Sequence, residues 1–115
     1  LDRNGGPNHV GNFCGAPIMI DTETGEGYYT PIYHVLSQFS RTIRPGDKAL
    51  QVDTQLEGLD SDALHVSAAM SPKNLVSTQL LNTTKAAISF SLQIGDQFVE
   101  VSIPANSLQT IQVQL

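Results

Sequence analysis

At 115 residues the chain is sized for one domain with a working core. It is acidic, with a formal net charge of −5, and only two of its six cations, Lys73 and Lys85, follow Lys48. With no basic stripe to neutralise phosphates, nucleic-acid binding is not expected. The one cysteine, Cys14, excludes an internal disulfide and a cysteine-based zinc site, and no run of about 20 apolar residues could cross a bilayer as a helix.

Residues 1–15 contain Gly5-Gly6-Pro7-Asn8-His9-Val10-Gly11-Asn12-Phe13-Cys14, a dense run of turn formers, and read as a loop. A folded domain seldom opens on its most specialised loop, and the chain carries neither an initiator Met nor a charged-then-apolar leader. The expectation is that further strands and helices precede Leu1. Cys14 is expected as a small buried apolar residue. Ala16-Pro17-Ile18-Met19-Ile20 is too short for a helix and reads as a brief extended segment. Asp21-Thr22-Glu23-Thr24-Gly25-Glu26-Gly27 closes it as a turn.

Thr30-Pro31 opens a predicted helix, with Thr suited to the N-cap and Pro to the first helical position. Apolar residues recur at Ile32, Val35, Leu36, Phe39 and Ile43, which is the spacing of one helical face. Arg41 and Arg44 suit the C-terminal end of the helix dipole, and Pro45-Gly46 stops the helix. No second helix of that quality exists to cover the stripe.

Beyond Lys48 the apolar period changes to two. Leu50, Val52 and Leu56 form the first alternating run, followed by Leu64, Val66 and Ala68, then 75–81. Ile88, Phe90, Leu92 and Ile94 alternate with Ser89, Ser91 and Gln93, and Phe98–Ile103 and Leu108–Leu115 complete the set. Gly95-Asp96 between two alternating runs marks a tight hairpin. Six or so short strands, each with one apolar face, predict an antiparallel sandwich. The fold class is therefore mainly β, preceded by a loop and a helix of the kind that ends an α/β unit.

The run Gly5 to Ile18, then Asp21-Thr22-Glu23-Thr24-Gly25, then Tyr28-x-x-Pro31-Ile32-Tyr33-x-x-Leu36-x-x-Phe39-Ser40-x-x-Ile43-Arg44-Pro45-Gly46, resembles the C-terminal part of glycoside hydrolase family 30, which includes the glucosylceramidases. The match in order and spacing runs from Gly5 to Gly46. Residues 49–115 match in kind, with Ile103-Pro104-Ala105-Asn106-Ser107-Leu108-Gln109-Thr110-Ile111 similar to the family's last strand. The resemblance implies a (β/α)8 barrel fused to a side β-sandwich. Residues 1–48 would be the loop after the last barrel strand plus the final barrel helix, and 49–115 the C-terminal β-sandwich domain. That loop would lie on the C-terminal face, where barrel active sites are built.

The same resemblance implies a retaining β-glycosidase acting on β-glucosides such as the glycolipid glucosylceramide, with no cofactor and no metal. Its acid/base and nucleophile glutamates would lie on earlier barrel strands, outside this sequence. Glu23, Glu26, Glu57 and Glu100 fit neither motif, so the chain alone is expected to be inactive. The parent protein is expected to be secreted or periplasmic.

Asn12 is the leading site residue. In the family an Asn at this point lines the sugar pocket, where an amide can donate to and accept from vicinal hydroxyls; the structural alternative is an Asn capping its own turn. Phe13 is either an apolar wall of the pocket or a plain core aromatic. His9 stands where some members carry Trp and reads as an exposed loop histidine beside the site. His34 and His65 read as surface histidines, and three unrelated histidines make no metal site. Tyr28 and Tyr29 read as packing residues before the helix, and Tyr33 as packing against a barrel edge. Asn82-Thr83-Thr84 is a formal glycosylation sequon that a tight turn also explains.

The alternative function is a carbohydrate-binding or interaction β-sandwich without catalysis. It requires exposed aromatics on a sheet face, whereas Phe90 and Phe98 are both assigned here to the apolar face. The other partners expected are the upstream barrel of the same protein and, through the helix stripe or open strand edges, a second copy of the chain.

Overall fold

The computed structural model describes residues 1–115. They form two compact units, Leu1–Arg41 and Thr42–Leu115.

In the first unit, β1 (Ile18–Ile20) pairs antiparallel with β2 (Gly27–Tyr29), with Ile18 opposite Tyr29 and Ile20 opposite Gly27. Asp21 organises the connection. Its N–H donates to the Glu26 carbonyl at 2.8 Å, and its own carbonyl accepts from Gly25 N–H at 2.7 Å. Its carboxylate accepts from Glu23 N–H at 2.9 Å and Thr24 N–H at 3.4 Å, and pairs with Arg3. The chain start joins the same hairpin, since Ile20 N–H donates to the Leu1 carbonyl at 2.9 Å. β2 was not expected from the sequence. Three-residue strands are too short to display a period of two.

The helix α1 (Pro31–Thr42) begins at the expected proline and ends before Pro45-Gly46. Its entry differs from the expected cap: the Thr30 hydroxyl donates to the Ala16 carbonyl at 2.8 Å, fastening the helix start to the segment before β1. Tyr29 stacks on Tyr33 with ring centroids 4.2 Å apart, a staple-like contact across the helix start. The apolar stripe is open, with Ile32, Val35, Leu36 and Phe39 between 37% and 52% exposed.

The second unit holds six strands: β3 (Lys48–Leu50), β4 (Leu64–Met70), β5 (Leu75–Asn82), β6 (Ile88–Ile94), β7 (Gln97–Ile103) and β8 (Ser107–Gln114). All pairings are antiparallel. One sheet has the order β3-β4-β5-β8, and β6 and β7 form the other. The core between them is Ala63, Leu64, Leu80, Ile88 and Ile103, with Leu56, Val66, Phe90 and Ile111 packed around it. This is the expected antiparallel sandwich. Gly95 (φ 59) supplies the positive φ needed at the first position of the two-residue β6–β7 turn.

β5 is buried on both faces because it is internal to its sheet and covered on each side. One face presents Val76, Thr78, Leu80 and Asn82, all at most 3% exposed. On the other, Ser77 Oγ donates to the Thr42 carbonyl at 3.1 Å and Gln79 Nε2 to Thr42 Oγ1 at 2.9 Å.

Three further expectations are corrected. The run 51–56 is not strand, although Leu56 still reaches the core. Phe98 is 67% exposed. It pairs with Gln93, whereas the core-side residues of β7 pair with Ile88, Phe90 and Leu92, so it occupies the opposite face. The adjacent apolar pair Phe98-Val99 left the phase of the alternation ambiguous, and the register resolves it in favour of Val99, Val101 and Ile103. Cys14 is exposed, because the loop that carries it has no apolar layer over it.

Candidate functional site

The first-unit loop is shaped by backbone geometry. A 3₁₀ turn, Asn8–Val10, starts after Pro7 and ends at Gly11 in the left-handed region (φ 68), whose N–H donates to the Asn8 carbonyl. The Pro7 carbonyl accepts from Val10 N–H at 3.3 Å and Asn12 N–H at 3.4 Å, which draws the loop back on itself. Asp2 anchors the base: its carboxylate accepts from Asn4 N–H at 2.9 Å and from Asn8 Nδ2 at 3.0 Å. Gly5 is needed where it stands. Its φ is +72, and a Cβ there would lie 2.7 Å from the Cys14 carbonyl oxygen and 3.0 Å from the Phe13 ring.

His9, Asn12 and Phe13 all lie on this loop, and all three are exposed, Phe13 at 74%. The left-handed turn position is taken by Gly11 rather than Asn12, which leaves the Asn12 amide at the surface. The loop thus presents an imidazole, an amide and a phenyl ring within five consecutive residues, a set able to hydrogen-bond hydroxyls and to cover an apolar sugar face. Exposed Phe13 is not a core aromatic of this chain.

The carboxylates are dispersed. Glu23 and Glu26 are exposed in the β1–β2 connection, whereas Glu57 and Glu100 are exposed in the second unit. An open depression of about 400 Å³ in the second unit is lined by Gly58, Leu59, Asp60, Asp62, Ala63, Thr83 and Thr84, and shares no residue with the Asn12 loop. No three His, Cys, Asp or Glu side chains are grouped to hold a metal ion. His34 and His65 are exposed, as expected.

Sequence reasoning did not single out Asp21. It is 6% exposed, and the backbone N–H of Glu23, with Thr24 and the Arg3 guanidinium, holds its carboxyl below the ordinary aspartate value against the opposing effect of burial. The signal available was the Asp-Thr-Glu-Thr-Gly spacing, which suits an aspartate that folds back on its own turn.

Known proteins resemble this chain in sequence and in fold. Nearly the whole chain aligns with glucosylceramidase 4 of Caenorhabditis elegans (32% identity, 96% of this chain, 22% of that protein) and with the lysosomal acid glucosylceramidase of Mus musculus (28% identity, 96% and 21%). The chain therefore spans about a fifth of the length of these relatives. In fold it matches the crystal structure of SrfJ from Salmonella typhimurium (TM-score 0.85, 23% identity, 100% of this chain and 25% of that one) and an endo-β1,6-glucanase (TM-score 0.78, 17% identity, 97% and 25%). The family model described as the glycosyl hydrolase family 30 beta sandwich domain matches residues 48–111, more than half of the chain, and the chain belongs to that family.

Proposed function

We propose that this chain is the C-terminal part of a retaining β-glycosidase of the glucosylceramidase type, whose parent hydrolyses β-glucosides such as glucosylceramide. The observation that carries the reading is the alignment of 96% of the chain with glucosylceramidases, which takes in the Asn12 loop as well as the sandwich. In this reading residues 1–48 end a (β/α)8 barrel, and the sandwich buttresses it. The open α1 stripe is the surface the barrel covers.

The chemistry needs two carboxyls about 5 Å apart, one protonating the leaving oxygen and the other attacking the anomeric carbon. Both come from the remainder of the parent, so the 115-residue chain is catalytically inactive. This chain supplies binding. The Asn12 amide donates to and accepts from sugar hydroxyls, Phe13 covers an apolar face, and His9 sits at the rim. The test compares hydrolysis of an aryl β-glucoside and of glucosylceramide by the full-length parent and by this chain. Activity in the parent alone is expected, with Asn12→Ala raising the parent's KM about tenfold, the loss of one or two neutral hydrogen bonds. Turnover by the isolated chain would overturn the reading.

One observation favours the alternative of a carbohydrate-binding sandwich without catalysis: Phe98 stands exposed beside Gln93 on the outer face of the β6–β7 sheet. Retention of the parent on an insoluble β-glucan that Phe98→Ala abolishes, together with no hydrolysis, would select it.

A further inference from the structure

Asn82-Thr83-Thr84 is the chain's one Asn-x-Ser/Thr sequence, the form that N-glycosylation requires. The atom that such a reaction modifies is Asn82 Nδ2. In the folded chain Asn82 is 0% exposed. Its Nδ2 donates to the Ala86 carbonyl at 2.8 Å, the Pro104 carbonyl at 2.9 Å and, more weakly, the Ile103 carbonyl at 3.4 Å. Its Oδ1 accepts from Thr84 N–H at 2.9 Å and the Thr84 hydroxyl at 2.7 Å. Asn82 ends β5, Ala86 precedes β6, Ile103 ends β7 and Pro104 follows it. One amide thus ties the four-stranded sheet to both chain ends of the two-stranded sheet.

We propose that Asn82 is a fold-gated modification site. The unfolded chain is an acceptor, the native chain is not, and a glycan attached before folding prevents the sandwich from closing. Transfer from an oligosaccharide lipid pyrophosphate forms a bond from Nδ2 to the anomeric carbon and breaks the glycosyl–phosphate bond. The lipid pyrophosphate leaves, and one Nδ2 proton is lost. The remaining N–H can serve only one of the two short hydrogen bonds, so a glycosylated Asn82 loses one of its ties between the two sheets. The sugar itself would fall where three carbonyls converge beside Leu80 and Ile103, both 0% exposed, and that space is filled. The acceptor sequence and the closure of the fold therefore compete for the same nitrogen. This inference does not depend on the glycosidase reading.

The test translates the full 115-residue chain behind a cleavable secretory leader, which carries it into the lumen of endoplasmic-reticulum microsomes that supply the donor and the transferase. The products are separated by protease resistance, and occupancy is read by mass on the tryptic peptide ending at Lys85. An Ile103→Asp chain, which cannot form the core, is run in parallel with its sequon intact. The expected result is no glycan on protease-resistant wild-type chains and at least tenfold higher occupancy on Ile103→Asp. A glycan on protease-resistant wild-type chains would overturn the proposal, as would an Ile103→Asp chain left unmodified.

Discussion

The two units are held together in different ways. Of the buried apolar residues, Met19 alone belongs to Leu1–Arg41, and every other one lies in Thr42–Leu115. The second unit closes a core from its own side chains. The first leaves Val10, Phe13, Ile18, Ile20, Tyr29 and its helix stripe exposed, and takes its shape from turns, a short hairpin and the Asp21 carboxylate. One chain therefore contains a part whose stability comes from apolar burial and a part whose conformation comes from local polar geometry. Substitutions in the two should differ in size and in kind.

The largest effect is expected from matched apolar truncations. Leu80→Ala removes a fully enclosed side chain and should cost about 3 kcal/mol or more, in the range for buried leucines that leave a cavity. Ile32→Ala, at 48% exposure on α1, should cost less than about 0.5 kcal/mol, because the site gives up little burial and alanine is a better helix former. Denaturant midpoints of both variants check the pair. Equal losses would mean that the helix stripe is covered in solution by another surface.

Asn82→Ala comes next. It removes the amide donor to the carbonyls of Ala86 and Pro104, which keep the Thr84 and Ser107 hydroxyls as donors, and it leaves Thr84 N–H without its acceptor. The expected loss is about 2 kcal/mol, more than one neutral hydrogen bond, because the fully enclosed Asn82 amide makes several at once. Asn82→Asp should recover little of it, since the carboxylate keeps an acceptor for Thr84 but turns a second acceptor toward the carbonyls. Calorimetric unfolding of the two variants distinguishes loss of volume from loss of the donor.

Gln79→Ala should cost about 1 kcal/mol, through the hydrogen bond to Thr42 Oγ1. Amide exchange at Thr42 and Ile43 should quicken, while exchange at Val76 and Leu80 stays slow.

What could be read in the sequence follows the same division. The strands of the second unit were legible because burial on one face imposes a period of two over seven or eight residues, as in Ile88, Phe90, Leu92 and Ile94 against Ser89, Ser91 and Gln93. The Gly95-Asp96 turn was legible because a primed hairpin needs that chemistry. Phe98 was misassigned where two neighbouring apolar residues blurred the phase, and only pairing with β6 fixes which one faces the core. In the first unit, α1 was legible by its stripe and its Pro–Pro boundaries. β2 and the burial of Asp21 were not, since a three-residue strand and a carboxylate bound by its own turn leave no periodic trace. The residues proposed as the site, His9, Asn12 and Phe13, were found by resemblance to a family motif and not by any pattern in this chain. A binding loop has no core to impose a period on it.

The smallest effect concerns pH and is confined to the first unit. The Asp21 carboxyl lies below the ordinary value of 3.8, first because it accepts from Glu23 N–H, with Thr24 and Arg3 adding to the shift and burial opposing it. A carboxyl with a lower pKa folded than unfolded stabilises the fold at pH above the unfolded value, and that contribution disappears as pH falls through the folded value. The β1–β2 connection should therefore be indifferent to pH from neutrality down to the ordinary aspartate range, and should loosen below it. The Glu23 and Thr24 amide resonances, followed by NMR on acidification, report this directly. They should move together, ahead of Val76 and Leu80, whose surroundings carry no carboxylate hydrogen bond. Asp21→Asn should remove the transition, because an amide oxygen still accepts from Glu23 N–H but has no charge to lose and none to offer Arg3. If Val76 and Leu80 move together with the turn amides, the two units do not respond independently, and the contrast between a core-built and a turn-built half does not survive.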